Sequence, residues 1–399
     1  MSSTAKPLRV GVVGAGVAGC ALARKLTDAG AQVTIFEMGR GAGGRMATRK
    51  TRDMPGLAIN HGAPLFVASH DSFRDLIAPL VASGSVREWE GKVVDIDATA
   101  LRVEPRNLQA QAFVSSPDMT SMCEALIEGA DARFGTQVAR IGKDGGDWVL
   151  YDKDQGELGR FDWTVWTSHT VGHQRWQDVF GYQPPLWGMA EKEPALKSII
   201  EPLAQVESEP VMVAMVAFEA EKAPEIMALD FDVAHVAGNP TLARVVRHVS
   251  PARASGGGSE TAGKFVSLCF HSSPEFARKH AMVYGSTSAA AKLAADKWKT
   301  DDNKKKEQEV LAELMHEASA VLGRLGCNLS PPVFGPILHR WGSAFTSSAE
   351  APRVDVVHGF AVCGDFAGQR SVSVFTGVET AALSGLQVAN AILSARARI

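Results

Sequence analysis

A largely apolar run, Leu8–Val13, leads through Gly14 and Gly16 into Val17–Ala29, where apolar and polar positions alternate with helical spacing. The run predicts a buried parallel strand, Val17–Ala29 a helix, and Gln32–Phe36 the next strand, a βαβ opening. Asp71–Gly84 predicts a second helix, with Phe73, Leu76, Ile77 and Leu80 at i, i+3, i+4 and i+7. Pro117–Glu128 predicts a third, with Pro117 in its first turn and Met119, Met122, Cys123 and Leu126 on one face. The period then changes. Gln137–Ile141, Asp147–Asp152 and Glu157–Trp166 alternate in the manner of strands, separated by turns such as Asp144-Gly145-Gly146, and predict a β-meander.

The second half reads as strands at Val211–Phe218, Ala243–Val249 and Lys264–Phe270, with a flexible surface loop at 250–264 around Gly256-Gly257-Gly258. From Ala289 to Leu325 the pattern is helical. The Lys304-Lys305-Lys306 run, set among Asp301, Asp302, Glu307 and Glu309, is a solvated helix face. The chain closes as it began, with strand Phe360–Cys363, then Gly364-Asp365, a loop, and a helix over Val378–Leu393. The expected fold class is therefore α/β: a Rossmann-type dinucleotide-binding domain (1–70, 117–170 and 335–399) with a second, substrate domain (71–116 and 171–334) inserted in it.

With 399 residues the chain exceeds one typical core, which agrees with two domains. Hydrophobic content of 45% and charged content of 21% describe a globular rather than a disordered chain. A net charge of −3 supplies no basic footprint, so nucleic acid is not an expected partner. Five scattered cysteines form no CxxC pair, against a disulfide framework, a zinc site and a redox dithiol; no metal is expected. No secretory signal fits the start and no apolar run approaches ~18 residues, so no membrane span is expected. A cytoplasmic setting follows as the expectation, with an organellar one after removal of a transit peptide as the alternative.

Three motifs carry chemistry. Gly14-Ala15-Gly16-Val17-Ala18-Gly19 follows a strand and opens a helix: Gly14 for the turn, Gly16 for close approach to a pyrophosphate, Gly19 for helix–strand packing. The helix start presents free N–H groups to the phosphates. Glu37, with Met38 beside it, ends the second strand where a carboxylate accepts from ribose hydroxyls. The second motif, Gly41-Ala42-Gly43-Gly44-Arg45-Met46-Ala47-Thr48, separates FAD from NAD. Its glycines let backbone run along an extended cofactor, and Arg45 offers a fork to pyrophosphate oxygens. The third is Gly364-Asp365 at a strand end, where the carboxylate can accept from ribityl hydroxyls. The helix opening at Gly377-Val378 then aims its N-terminal amides at the pyrimidine edge of a flavin. Gly62, Ala63 and Val138 complete the expected cofactor contacts.

Taken together, the chain resembles the renalase-like branch of the FAD-dependent amine-oxidase superfamily. The resemblance rests on the opening motif, Gly39-Arg40-Gly41-Ala42-Gly43-Gly44-Arg45-Met46-Ala47-Thr48, Asn60-His61-Gly62-Ala63-Pro64-Leu65-Phe66 and Pro117-Asp118-Met119. It extends to His339-Arg340-Trp341, Cys363-Gly364-Asp365-Phe366 and Gly377-Val378-Glu379-Thr380-Ala381-Ala382-Leu383-Ser384-Gly385. It implies non-covalent FAD, an inserted α+β cap domain containing a mixed antiparallel sheet over the flavin face, and oxidation of reduced nicotinamide species with oxygen as acceptor. The sequence departs from that family at Ser168-His169-Thr170, where relatives carry a small residue and a proline, and in the glycine-rich loop and the Lys-rich helix.

For the substrate pocket the candidates are His61 and Phe66, just after the second motif, with Trp187 and Trp341 as walls for a flat ring. His169 and His173 lie four apart but lack the glutamate of a zinc-protease motif. No acid–base residue stands out, and hydride transfer to a flavin requires none. The alternatives are an amine oxidase or polyene desaturase on the same scaffold, or an FAD-binding scaffold or sensor without turnover.

Overall fold

The computed structural model describes residues 6–108, 110–250, 263–286, 288, 293–294, 300–347, 353–368 and 375–398. Most of the expected 250–264 loop and of 289–299 lies outside the described residues. Strands of the two large sheets are, in chain order, β1 (Arg9–Val13), β2 (Gln32–Glu37), β3 (Val93–Asp97), β4 (Arg102–Pro105), β5 (Asp131–Phe134) and β6 (Trp163–Trp166). They continue as β7 (Ser208–Glu219), β8 (Val233–Ala237), β9 (Leu242–Val249), β10 (Phe265–Ser272), β11 (Phe334–Thr346), β12 (Arg353–Asp355) and β13 (Phe360–Val362). The long helices are α1 (Val17–Asp28), α2 (Asp71–Ala82), α3 (Asp301–Arg324) and α4 (Gly377–Arg396).

The six-stranded sheet runs β5-β2-β1-β6-β13-β12 and is parallel except at its β12 edge. Its central strands are apolar on both faces, as a sheet covered on both sides requires. Val10 and Val12 join the core under α1 and α4, whereas Phe36, Trp166 and Phe360 face a second core that includes Trp148 and Trp176. The seven-stranded sheet runs β11-β7-β10-β9-β8-β3-β4 and is antiparallel except for the β8–β3 pair. Alternation along β7 sends Val211, Val213 and Met215 towards the first domain's core, and Met212, Ala214 and Val216 towards the core under α3.

Several expectations need correction. Strand β11, assigned from its position to the dinucleotide domain, pairs with β7 at the edge of the seven-stranded sheet. The 171–206 segment, assigned to the cap, packs Trp176, Leu186, Ile200 and Leu203 against Trp166 and Phe360 of the six-stranded sheet. The meander is real for Arg140–Asp144, Asp147–Tyr151 and Glu157–Phe161, but Trp163–Trp166 leaves it to become β6, parallel to β1. The third helix is only Ser121–Leu126. Asp118 accepts from the Thr120 N–H at 3.1 Å and ion-pairs with Lys50 at 2.8 Å, so the segment after Pro117 is held as a turn. Glu379, in the first turn of α4, accepts from Ser69 N–H (2.7 Å), Ser69 Oγ (2.6 Å) and His70 N–H (2.7 Å), tying the entry of α2 to α4.

Candidate functional site

The β1–α1 turn shows which glycines serve the fold and which do not. Gly14 has φ +111°, a conformation that favours glycine. At Gly19 a Cβ would come 2.2 Å from the Gly14 carbonyl oxygen, so helix–strand packing excludes it. At Gly16 a Cβ would meet nothing within 4 Å, and the backbone there (φ −74°, ψ 176°) suits any residue. Nothing in the chain itself needs a glycine at 16. The space in front of it belongs to the cavity, at the N-terminus of α1, where no side chain caps the helix.

The cavity has a volume of about 1200 Å³. It is bordered by Phe36, Glu37, Met38, Thr136, Gln137 and Val138, and by Gly14, Gly16–Ala18 and Gly43–Met46. Gly62, Ala63, Gly364, Asp365, Gly377, Val378 and Trp341 border it too. Glu37 accepts from the N–H groups of Ala15 (2.9 Å) and Gly39 (2.6 Å), which orients it. Burial pushes its carboxyl above the usual range, and those two donors offset only part of the rise.

Arg45 and Asp365, 320 residues apart, form a bidentate pair with both N–O distances at 2.6 Å. Thr346 Oγ1 donates to the same carboxylate at 2.8 Å. Burial opposes ionisation of Asp365, but the guanidinium and the hydroxyl outweigh it and hold its carboxyl below the ordinary value. The two residues expected to grip different parts of a cofactor thus brace each other. Gly62 lies against this pair: a Cβ there would sit 1.9 Å from the Arg45 carbonyl oxygen, to which Ala63 N–H donates at 2.9 Å.

Every residue expected to bind cofactor therefore borders one cavity. The four pocket candidates separate. Trp341 lines the cavity, with its indole N–H on the His61 carbonyl at 3.0 Å. His61 lies behind it, stacked at 5.2 Å, and burial pushes its pKa down to about 4. Phe66 is core, packed between Phe73 and Phe113. Trp187 donates to the Gly172 carbonyl at 2.8 Å and does not border the cavity.

Other wall residues escaped sequence reasoning. His169 borders the cavity from the Ser168-His169-Thr170 segment. Burial, then His173, lower its pKa to about 3. Arg244 and His271 border it from β9 and β10. A charged residue inside the otherwise apolar Leu242–Val246 stretch was the available signal.

The sequence matches the family described as the NAD(P)-binding Rossmann-like domain over residues 12–80. Among solved structures, the putative protoporphyrinogen oxidase from Exiguobacterium sp. 255-15 superposes with a TM-score of 0.60 at 13% identity, over 98% of this chain and 100% of that one. A putrescine oxidase variant gives 0.56 at 13% over 98% and 100%. A putative FAD-containing monooxygenase from Photorhabdus luminescens gives 0.51 at 11% over 98% and 89%. The fold is that of the FAD-dependent oxidases. Among the described residues no helix is long and apolar enough to cross a membrane, and all five cysteines are buried and unpaired.

Proposed function

We propose that the chain is an FAD-dependent oxidoreductase of the renalase-like type. It binds FAD non-covalently and oxidises a reduced nicotinamide or similar small flat substrate, with oxygen as the acceptor. The observation that carries this is that one cavity is bordered by a ribose acceptor, Glu37, the uncapped helix start at Gly16, the Arg45–Asp365 pair and the start of α4. These are the groups an extended dinucleotide needs, and the open space at Gly16 is the cradle a Cβ would fill. FAD, when bound, supplies the two-electron oxidation of the substrate; overall, substrate hydride, a proton and oxygen give oxidised substrate and hydrogen peroxide.

The chain's own part is placement. Glu37 accepts from ribose, the α1 N–H groups and Gly43–Gly44 backbone receive the pyrophosphate, and Arg45–Asp365 fixes the loop that carries them. The start of α4 presents partial positive charge to the end of the cavity, where Trp341 offers a flat wall. The dinucleotide-binding domain comprises the six-stranded sheet with 171–206, and the cap comprises the seven-stranded sheet with α3.

Purified protein should be yellow and should release free FAD on acid or heat treatment. Anaerobic mixing with a dihydronicotinamide isomer should bleach the flavin band, and oxygen should restore it with formation of peroxide, while ordinary NADH reacts slowly. A colourless protein that cannot be reconstituted with FAD would overturn the reading. Rapid bleaching by amines alone would move it to the amine oxidases.

A further inference from the structure

We propose that Arg244, flanked by His271 and His235, anchors an oxyanion group of the substrate, a carboxylate or a phosphate. This rests on the reading of the cavity as the site of an FAD oxidoreductase. The registers of the seven-stranded sheet place His339, Val213, His271, Arg244, His235, Asp95 and Glu104 at facing positions on successive strands. One row, polar except at Val213, thus crosses the sheet, and Arg244 stands at its centre.

Arg244 is 9% exposed and His271 5%, and both border the cavity. Among the described residues no carboxylate pairs with Arg244, and its Nε meets no acceptor. The nearest acid in the row, Asp95, is taken by Arg106 at 2.8 Å. Glu209, on the cavity wall, lies 3.9 Å from Arg278 instead. A buried guanidinium without a counter-ion is costly, and a chain retains one where a ligand supplies the charge.

The ring of His271, which borders the cavity, suits that role, whereas His235 lines a separate cleft with Asp95 and Arg106 and only flanks Arg244 in the sheet. Nε2 of His271 and of His235 is also buried without a partner. Burial first, then Arg244, keep both imidazoles neutral, His235 at about 3. The neutral ring of His271 offers a donor without adding charge, whereas Arg244 carries the charge, its pKa lowered only to about 10 by burial and then Arg106. An oxyanion here gains charge-assisted hydrogen bonds; a protonated amine meets like charge.

The test is calorimetric titration of the purified holoprotein with benzoate, benzamide and inorganic phosphate. One oxyanion probe should bind, with benzamide weaker by about tenfold or more, the scale of a lost charge-assisted contact. Benzoate tighter than phosphate assigns a carboxylate, and the reverse a phosphate. Arg244→Gln should bring the oxyanion down to the benzamide level, and Arg244→Lys should keep part of the affinity. Arg244→Met should lose the oxyanion while its thermal midpoint holds or rises, because an unpaired buried charge has been removed. Equal binding of benzoate and benzamide, or oxyanion affinity indifferent to Arg244→Gln and Arg244→Met, would overturn the proposal. Protein without flavin that still binds the oxyanion through Arg244 would refute the cofactor reading alone. Flavin-bearing protein indifferent to Arg244 would refute only this one.

Discussion

On the six-stranded side the cavity runs past the glycine turns at Gly14, Gly16, Gly43–Gly44 and Gly364, and the ion pair there, Arg45 with Asp365, is mutually satisfied, although Gln137, His169 and Trp176 each keep a buried nitrogen without a partner. On the seven-stranded side the buried charge of Arg244 has no carboxylate among the described residues, and His271 beside it lacks a partner at Nε2. Backbone donors and a braced ion pair suit a ligand that stays. Unpartnered side chains on a sheet face suit one that comes and goes. The contrast teaches that a permanent and a transient ligand leave different marks on the same cavity.

The sharpest way to break this contrast is Gly16→Val. Its Cβ fits the protein but occupies the ligand's space, so the thermal midpoint of apoprotein should be unchanged while FAD affinity falls about a hundredfold, roughly 3 kcal/mol. Equal loss of stability would make Gly16 a packing glycine like Gly19. Arg45→Ala comes next. It leaves Asp365 without its main partner, and because Arg45 is partly exposed the cost should be about 2–3 kcal/mol in urea unfolding, with weakened flavin retention. Arg45→Lys should recover part of both. Retention of FAD by both variants would leave the pair structural only. Glu37→Gln should weaken FAD by about 1–3 kcal/mol with the fold intact; unchanged affinity would place the ribose elsewhere.

The smallest effect concerns protons and sharpens the other wall. His61, His169 and His235 have pKa values lowered from 6.5 to about 4, 3 and 3. As pH falls below 6.5 the unfolded chain takes up protons that the folded chain refuses. Stability contributed by these neutral rings is therefore present above 6.5 and is lost towards pH 3–4. His235→Gln should flatten that acid slope in urea titrations at successive pH values. An unaltered slope would mean that the ring is protonated or solvated in the fold.

Local pattern was enough for the opening βαβ unit, since period, glycine spacing and a strand-end carboxylate all lie within forty residues. It was not enough for partnership. That Arg45 meets Asp365 depends on β1, β6 and β13 being neighbours, a fact of topology. Phe66 follows the second motif in sequence, yet its strand turns the ring into the core with Phe73 and Phe113. Proximity along the chain did not predict facing. Arg244 was visible as a charge within a buried strand, but only strand register shows that His271 and His235 stand beside it.

Strand β11 gives the cavity a property of its own. Trp341, near its middle, touches the substrate side; Thr346, its last residue, holds Asp365 on the cofactor side. One strand therefore reaches both walls, with a shift in its pairing to β7 between Phe345 and Trp341. A ligand that displaced Trp341 and moved the strand with it would strain the Thr346–Asp365 bond. By reciprocity, whatever tightens that bond alters the welcome given to the ligand by the same free energy. The enzyme would then sense the presence of its cofactor at the place where it receives its substrate, through a relay five residues long.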